Sequence, residues 1–184
     1  MKPLSGTELK RFLRDYKRLN RPQREITALL HSVEYPYNVG AIFRLADGVG
    51  VTKLVLSGIT PTPPNPTIAK VGRSKDRNVL WFYEQDPERP ISDLREDGNR
   101  IIAVELTAEA VPYDEYDYPE KSCLVFGNED HGVTKAVLAR CDGAVFIPMY
   151  GKGRSLNVSA AFGIVAYHIR HLDGQSSSGD VRID

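Results

Sequence analysis

The sequence predicts an α/β protein built on a parallel six-stranded sheet with helices on both faces. Short segments rich in Ile, Val and Leu alternate along the chain with segments long enough to form helices. Strands that are apolar on both faces and separated by helices are typical of a parallel sheet covered on both sides. A length of 184 residues, 41% of them hydrophobic, suits one domain with a core of its own.

The first predicted element is a basic amphipathic helix at residues 7–19, where apolar side chains recur at steps of three and four. Pro22 ends it, because proline lacks an amide donor and restricts the residue before it. Six strands are predicted at Ile26–Val33, Lys53–Leu56, Val79–Tyr83, Arg100–Val104, Cys123–Phe126 and Ala144–Ile147. Helical or loop segments separate and follow them, at Ala41–Val49, Pro66–Val71, Pro90–Glu96, Lys135–Arg140 and Val158–Leu172.

These elements divide the chain into three parts. Residues 1–24 form a basic helical extension, residues 25–172 form the main domain, and residues 173–184 form a tail whose Gly and Ser content predicts disorder. Within the main domain, the proline-rich stretch SGITPTPPNPT after the second strand predicts a stiff surface loop.

The composition argues against a membrane, secreted or metal-binding protein. No apolar run approaches the roughly 18 residues of a membrane-spanning helix, and no secretory signal is visible at the start. Cys123 and Cys141 lack the spacing of a metal site or a disulfide framework, so we expect two small buried side chains and no bound metal. We expect a cytoplasmic protein.

The formal net charge of zero hides a strong asymmetry. Residues 1–24 hold eight basic and two acidic side chains, a local charge of +6, whereas residues 84–120 hold twelve acidic side chains and three arginines, a local charge of −9. A basic segment of this density is a candidate footprint for a polyanion such as RNA. A solvated helix face is the alternative that the sequence leaves open.

Three stretches combine glycine, polar side chains and a position directly after a predicted strand. In NVGAIFR, Asn38 can cap a helix that begins at Gly40, and Arg44 beside that helix start suits a phosphate. In LVFGNEDHGV, Gly127 suits either a close approach of the backbone to another group or only a tight turn, and a carboxylate, Glu129, follows it. In IPMYGKGRSLNVSAA, a glycine-rich turn leads into a helix, but the spacing of an ATP-binding phosphate loop is absent.

Together and in this order, the three stretches resemble the three motifs of the SpoU/TrmH-like branch of the SPOUT RNA ribose 2′-O-methyltransferases, over roughly residues 24–172. The resemblance implies a SPOUT methyltransferase domain at residues 25–172 with a C-terminal trefoil knot that holds S-adenosylmethionine. It also implies an obligate homodimer whose active site is completed across the interface. The chain departs from similar enzymes at Arg154, where they often carry an acidic residue, and at Asp130 and His131, where they carry smaller ones.

The resemblance also assigns site residues by motif position. The implied catalytic group is Arg44, Asn38, Glu129, Ser155 and Asn157. Among these, Arg44 is expected to anchor the phosphate next to the target ribose and Glu129 to orient Arg44 or Asn38. Ser155 and Asn157 are expected to shape the cofactor loop. The implied cofactor-binding residues are Leu106, Gly127, Ile147 and Leu156, and the expected RNA-binding residues are Lys10, Arg11, Arg14, Lys17, Arg18, Lys70, Arg73, Lys75 and Arg77.

Two other functions compete with methyl transfer at this point. A catalytically silent RNA-binding dimer would keep the fold and lose the cofactor, and a nucleotide-dependent dehydrogenase would share the α/β class. The dehydrogenase is disfavoured because no GxGxxG follows the first predicted strand. Both tRNA and rRNA are possible substrates, and the lack of room for a separate RNA-binding domain favours tRNA.

Overall fold

In the computed structural model, which describes residues 2–176, seven parallel strands form one sheet in the order β3-β2-β1-β6-β4-β7-β5. The strands are β1 Glu25–His31, β2 Lys53–Ser57, β3 Trp81–Glu84, β4 Arg100–Val104, β5 Val111–Pro112, β6 Lys121–Phe126 and β7 Gly143–Phe146. The parallel α/β class is confirmed, but the predicted count of six strands is wrong by one. The additional strand, β5, has two residues at the sheet edge and pairs with β7. A strand of two residues is too short for an apolar pattern to reveal.

Within the described residues, six helices accompany the sheet: α1 Gly6–Leu19, α2 Pro36–Val49, α3 Pro66–Gly72, α4 Glu88–Glu96, α5 Lys135–Leu138 and α6 Val158–Ser176. A short 3₁₀ turn, Lys75–Arg77, follows α3. The predicted start of α2 at Gly40 is wrong, because Pro36 occupies its first turn and Tyr35 precedes it. Proline suits a first helical turn, since its fixed φ is helical and its missing N–H would have no partner there.

The sheet carries a hydrophobic core on each face. One core gathers alternate β1 residues, including Ile26, Ala28 and Leu30, with buried residues of α2 and α6. The other holds Leu29 together with apolar residues of α4 and α5. Neighbouring residues of β1 therefore point into opposite cores, which explains why its sequence is continuously apolar.

The end of α6 closes onto the start of β1 through an ion-pair cluster. The buried Asp173 carboxylate accepts hydrogen bonds from the Arg24 and Arg170 guanidinium groups, at 2.9 and 3.0 Å. Disorder was predicted from residue 173 onward. That prediction is wrong for Asp173–Ser176, which belong to α6, and residues 177–184 lie outside the described part of the chain.

Both cysteines are free thiols, with Cys123 fully buried and Cys141 partly buried. Burial raises the pKa of Cys123 to about 12 and that of Cys141 to about 11, so both stay protonated and behave as small apolar side chains. Within residues 2–176, no group of three or more His, Cys, Asp and Glu is arranged to hold a metal ion. The same residues form no helix that is long and apolar enough to cross a bilayer.

The basic helix α1 forms as predicted, but none of its residues is buried. Its apolar side is open to solvent, with Phe12 and Tyr16 stacked on each other and each about half exposed. The helix therefore contributes little to the core of the main domain.

Candidate active site

The carboxyl ends of four neighbouring strands, β1, β6, β4 and β7, meet at one edge of the sheet. In a parallel sheet this edge is the usual place for a ligand, because the loops that follow the strands converge there. A cavity of about 910 Å³ lies at this edge, walled by the segments that follow β4, β6 and β7 and by the start of α2. Its size falls within the range of small-molecule sites.

A chain of hydrogen bonds joins the three sequence motifs at the wall of this cavity. The Asn38 side-chain amide donates to the Glu129 carboxylate at 2.6 Å, and the Asn157 amide donates to the Asn38 side-chain oxygen at 2.9 Å. The Ser159 hydroxyl donates to the Asn157 side-chain oxygen at 2.6 Å. Asn38 is only 4% exposed, so both ends of its amide are satisfied inside the protein.

Glu129 also fixes the loop that follows β1. Its carboxylate accepts the backbone N–H groups of Glu34 at 2.9 Å and of Tyr35 at 3.3 Å. Of the two candidate partners, Arg44 and Asn38, the Glu129 carboxylate bonds to Asn38. The Asn38 side chain lies inside the first turn of α2 and makes no capping hydrogen bond, so the predicted helix-cap role of Asn38 is wrong.

The four residues expected to bind the cofactor, Leu106, Gly127, Ile147 and Leu156, all line the cavity. Gly127 has a structural reason to be glycine, because a Cβ there would collide with the backbone of Gly132 and Val133. Backbone hydrogen bonds of 3.1 and 2.9 Å between Asn128 and Gly132 close the turn at this point. The close approach predicted at Gly127 is thus to the protein's own turn, which forms one wall of the cavity.

A second carboxylate, Glu105, lines the cavity and was missed by the sequence reasoning. It directly follows β4, and it accepts the backbone N–H of Leu106 at 3.0 Å and that of Val133 at 2.9 Å. Glu105 therefore ties the loop after β4 to the turn after β6. Its position at a strand end was the signal that could have found it.

The remaining predicted catalytic residues lie in two different places. Ser155 lines the cavity and is exposed. Arg44 is exposed on α2 and does not line the cavity, and within residues 2–176 its guanidinium has no hydrogen-bond or ion-pair partner. One chain by itself thus assembles Asn38, Glu129, Ser155 and Asn157 at the cavity, but not Arg44.

The expected RNA-binding residues form two exposed groups. Five lie on α1: Lys10, Arg11, Arg14, Lys17 and Arg18. Lys70 and Arg73 lie at the end of α3, and Arg77 is exposed in the 3₁₀ turn. Lys75 is already paired, with its ammonium 2.7 Å from the Asp47 carboxylate, and is therefore less available to an anion than the others.

One buried histidine lies next to the active-site edge of the sheet. His31, the last residue of β1, forms hydrogen bonds with the hydroxyls of Ser57 and Thr134, both at 3.3 Å. Burial lowers the pKa of His31, because desolvation disfavours the charged ring. The ring therefore stays neutral and joins β1 to β2 and to the start of α5.

The profile of the SpoU rRNA methylase family matches residues 25–167. The chain belongs to this family. A tRNA (guanosine(18)-2'-O)-methyltransferase of Thermus thermophilus is 35% identical over 149 residues, which make up 81% of this chain and 76% of that relative. The match with the profile covers all three motifs.

Two solved structures of similar proteins share the fold. The TrmH/SpoU tRNA modifying enzyme of A. aeolicus has a TM-score of 0.77 and 28% identity, covering 91% of this chain and 85% of that one. The AdoMet-bound rRNA methyltransferase of Sinorhizobium meliloti has a TM-score of 0.76 and 27% identity, covering 82% of this chain and 58% of that one. This chain is thus an α/β protein of the SpoU/TrmH type.

Proposed function

We propose that this SpoU methylase transfers the methyl group of S-adenosylmethionine to a ribose 2′-hydroxyl of structured RNA, with tRNA favoured over rRNA. The observation that carries the proposal is the hydrogen-bonded chain from Glu129 through Asn38 to Asn157, which unites the three motifs at the wall of one cavity. The tRNA enzymes among its relatives favour tRNA as the substrate.

The residues of the cavity fit S-adenosylmethionine. Leu106, Ile147 and Leu156 offer apolar surface to the adenine, and the backbone groups around them can pair with its polar edge. The carboxylates of Glu105 and Glu129 face the same cavity and favour the positive charge of a sulfonium. When bound, the cofactor supplies a methyl group that is already activated for attack.

The protein's own residues then have to position a weak nucleophile, whose proton leaves to the adjacent RNA phosphate or to water as the methyl group is transferred. Asn38 cannot readily leave its two partners, so we assign it and Glu129 the task of holding the start of α2 against the cavity wall. Arg44 anchors the phosphate beside the target ribose, because a guanidinium stays protonated and binds phosphate oxygens with two N–H donors. Ser155 and Asn157 shape the loop over the cofactor.

Arg44 does not line the cavity of its own chain. In a homodimer, Arg44 of one chain can instead lie at the cavity of the other chain. An apolar surface on α2, the helix that carries Arg44, and on α6 supports this assembly. Tyr37, Ile164 and Tyr167 are exposed on the paired helices α2 and α6, and the Tyr167 hydroxyl lies 2.9 Å from where a Cβ of Gly48 would stand. The patch has the apolar and aromatic character of an interface core.

We propose that the chain after β5 forms a trefoil knot. The strand order supports this, because the chain leaves the edge strand β5 for β6 in the middle of the sheet and then returns to β7 beside the edge. We also propose that the protein acts in the cytoplasm, where its RNA substrates are. Residues 1–24 then form the basic extension and residues 25–172 the methyltransferase domain.

The proposal is tested with radiolabelled S-adenosylmethionine and unmodified tRNA transcripts. We expect wild-type protein to label tRNA at a ribose, and Arg44→Ala to abolish transfer while calorimetry shows cofactor affinity within a few fold of wild type. Equal loss of both would make Arg44 a structural residue. A protein that binds tRNA but no cofactor would instead be a silent RNA-binding module.

Mixing two inactive variants tests whether the site spans two chains. Leu156→Glu blocks the cavity, and Arg44→Ala removes the anchor. If each site takes Arg44 from one chain and the cavity from the other, random exchange restores about a quarter of wild-type activity, because half of the dimers are mixed and each has one intact site. No recovery after exchange would place both residues in the same chain's site.

A further inference from the structure

The loop between β7 and α6 carries an aromatic side chain that the fold does not use. Tyr150 is 97% exposed, although the residue before it, Met149, lines the cavity. Within residues 2–176, the Tyr150 ring has no hydrogen bond and no aromatic or cation–π contact. An exposed tyrosine at the mouth of an active site is a candidate contact for a substrate.

The loop folds back on itself while leaving Tyr150 in solvent. The Met149 methyl group lies 3.5 Å from the Cβ position of Gly153, so the loop folds back over Met149 at the cavity wall. A Cβ on Gly151 would meet nothing within 4 Å, which means that space beside Tyr150 is open. A flat group can therefore approach the tyrosine ring without displacing other residues.

The same loop supplies the positive charge of the cavity rim. Among the described residues that line the cavity, Arg154 is the only Lys or Arg, whereas Glu105, Glu129 and Asp130 are acidic. Lys152 lies two residues before Arg154, and the segment 147–157 holds no acidic residue. A polyanion that reaches the cavity is therefore attracted by the basic side chains of this loop and repelled by the three carboxylates.

We propose that Tyr150 stacks on an unpaired nucleobase next to the methylated ribose, while Lys152 and Arg154 contact the flanking phosphates. The inference rests on the proposed RNA substrate and deepens it, since it requires the target nucleotide to lie in a single-stranded or looped region. Aromatic side chains stack on exposed bases regardless of their identity, and cations beside them follow the backbone. The loop thus fixes where the RNA strand enters the cavity.

Substitution of Tyr150 tests the stacking contact directly. With an unmodified tRNA transcript that the wild-type protein methylates, Tyr150→Ala raises the KM for tRNA by about 5- to 150-fold, whereas Tyr150→Phe keeps the ring and stays within about twofold. The Tyr150→Trp variant keeps stacking, and its additional tryptophan emission is quenched when the transcript binds. Cofactor affinity, measured by calorimetry without RNA, remains that of wild type in all three variants.

A matched pair of charge variants tests the phosphate contacts. Lys152→Ala lowers the slope of log affinity against log salt by about 0.7 to 0.9. Lys121→Ala removes the same charge at the start of β6, at the opposite edge of the sheet, and leaves the slope unchanged. Equal effects of the two variants would mean that only the overall charge matters and would overturn the assignment.

Three other results would overturn the stacking contact. Unchanged KM and affinity for tRNA in Tyr150→Ala would show that the ring does not touch RNA. A loss of cofactor affinity in the same variant would make the loop a structural part of the cofactor site. A shift of the variant toward monomer in sedimentation would show that Tyr150 contacts a second copy of the chain. If wild-type protein neither binds nor methylates tRNA, the proposed function fails as well.

Discussion

The hydrogen bond between Asn38 and Glu129 allows a quantitative test of how the motifs are joined. The two side chains lie 91 residues apart in the sequence and 2.6 Å apart in the structure. The perturbation is a double-mutant cycle of Asn38→Ala, Glu129→Ala and the combined variant. Such a cycle isolates the energy of the pair from the other contacts that each residue makes.

The size of the coupling follows from the geometry. A hydrogen bond to a charged group contributes about 1.5–3 kcal/mol, and the burial of Asn38 shields this bond from water. Each single substitution also leaves polar groups without partners. Asn38→Ala removes the acceptor of the Asn157 side-chain amide, and Glu129→Ala removes the acceptor of the backbone N–H groups of Glu34 and Tyr35. We expect each single variant to lose about 2–4 kcal/mol of unfolding free energy and a coupling energy of about 1.5–3 kcal/mol.

Urea unfolding followed by circular dichroism at neutral pH measures all four proteins. A second cycle supplies the control: Asn20 donates from its side chain to the Tyr16 carbonyl on the exposed helix α1, so Asn20→Ala and Glu129→Ala should be additive to within about 0.5 kcal/mol. A coupling energy below about 0.5 kcal/mol for the Asn38 pair would refute the reasoning. The motifs would then be held together by the core alone, and the network would have no energetic role.

Two further predictions concern the extension and the buried histidine. Removal of residues 2–20 keeps Arg24 and its pairing with Asp173, and since α1 has no buried residue we expect the free energy of unfolding to change by less than about 1 kcal/mol. The deletion lowers tRNA affinity and reduces the salt slope by up to about 5, because it removes six basic side chains; an unchanged slope in filter binding would assign the helix to a protein contact. For His31, the folded-state pKa lies below its ordinary value of 6.5, so the unfolded chain binds the proton more readily and stability falls as the pH drops below that value. His31→Asn should lose less stability than wild type between about pH 7.5 and pH 5.5; an equal loss in both proteins, measured by urea unfolding, would show that other groups carry the dependence.

Most of the fold predictions rest on the pattern of apolar residues within single strands and helices. The continuously apolar strands and the amphipathic α1 are visible in short windows, because side-chain periodicity depends on the backbone within each element. The two misplaced features are also local. Pro36 starts α2 four residues before Gly40, and Asp173, which continues α6, pairs with Arg170 three residues before it.

The sequence predicted most residues of the candidate site, but it did not predict which of them contact each other. Glu129 and Asn38 were both named, yet only the structure decides that the carboxylate binds Asn38 and leaves Arg44 unpaired within residues 2–176. Glu105 was not predicted, although its position directly after β4 is a signal that could have found it. The position of a residue at a strand end predicts that it belongs to the site. Its hydrogen-bond partner depends on loops that meet only in the folded chain.

The sequence by itself determined the α/β class, the order of the elements and the three motifs, since each depends on residues that are close together in the chain. The tertiary structure decided the strand order β3-β2-β1-β6-β4-β7-β5, the cavity, and the contact of Asn157 with Asn38 across 119 residues. Many strand orders satisfy the same local pattern, and only the burial of both sheet faces together with the pairing of polar groups at the strand ends selects one of them.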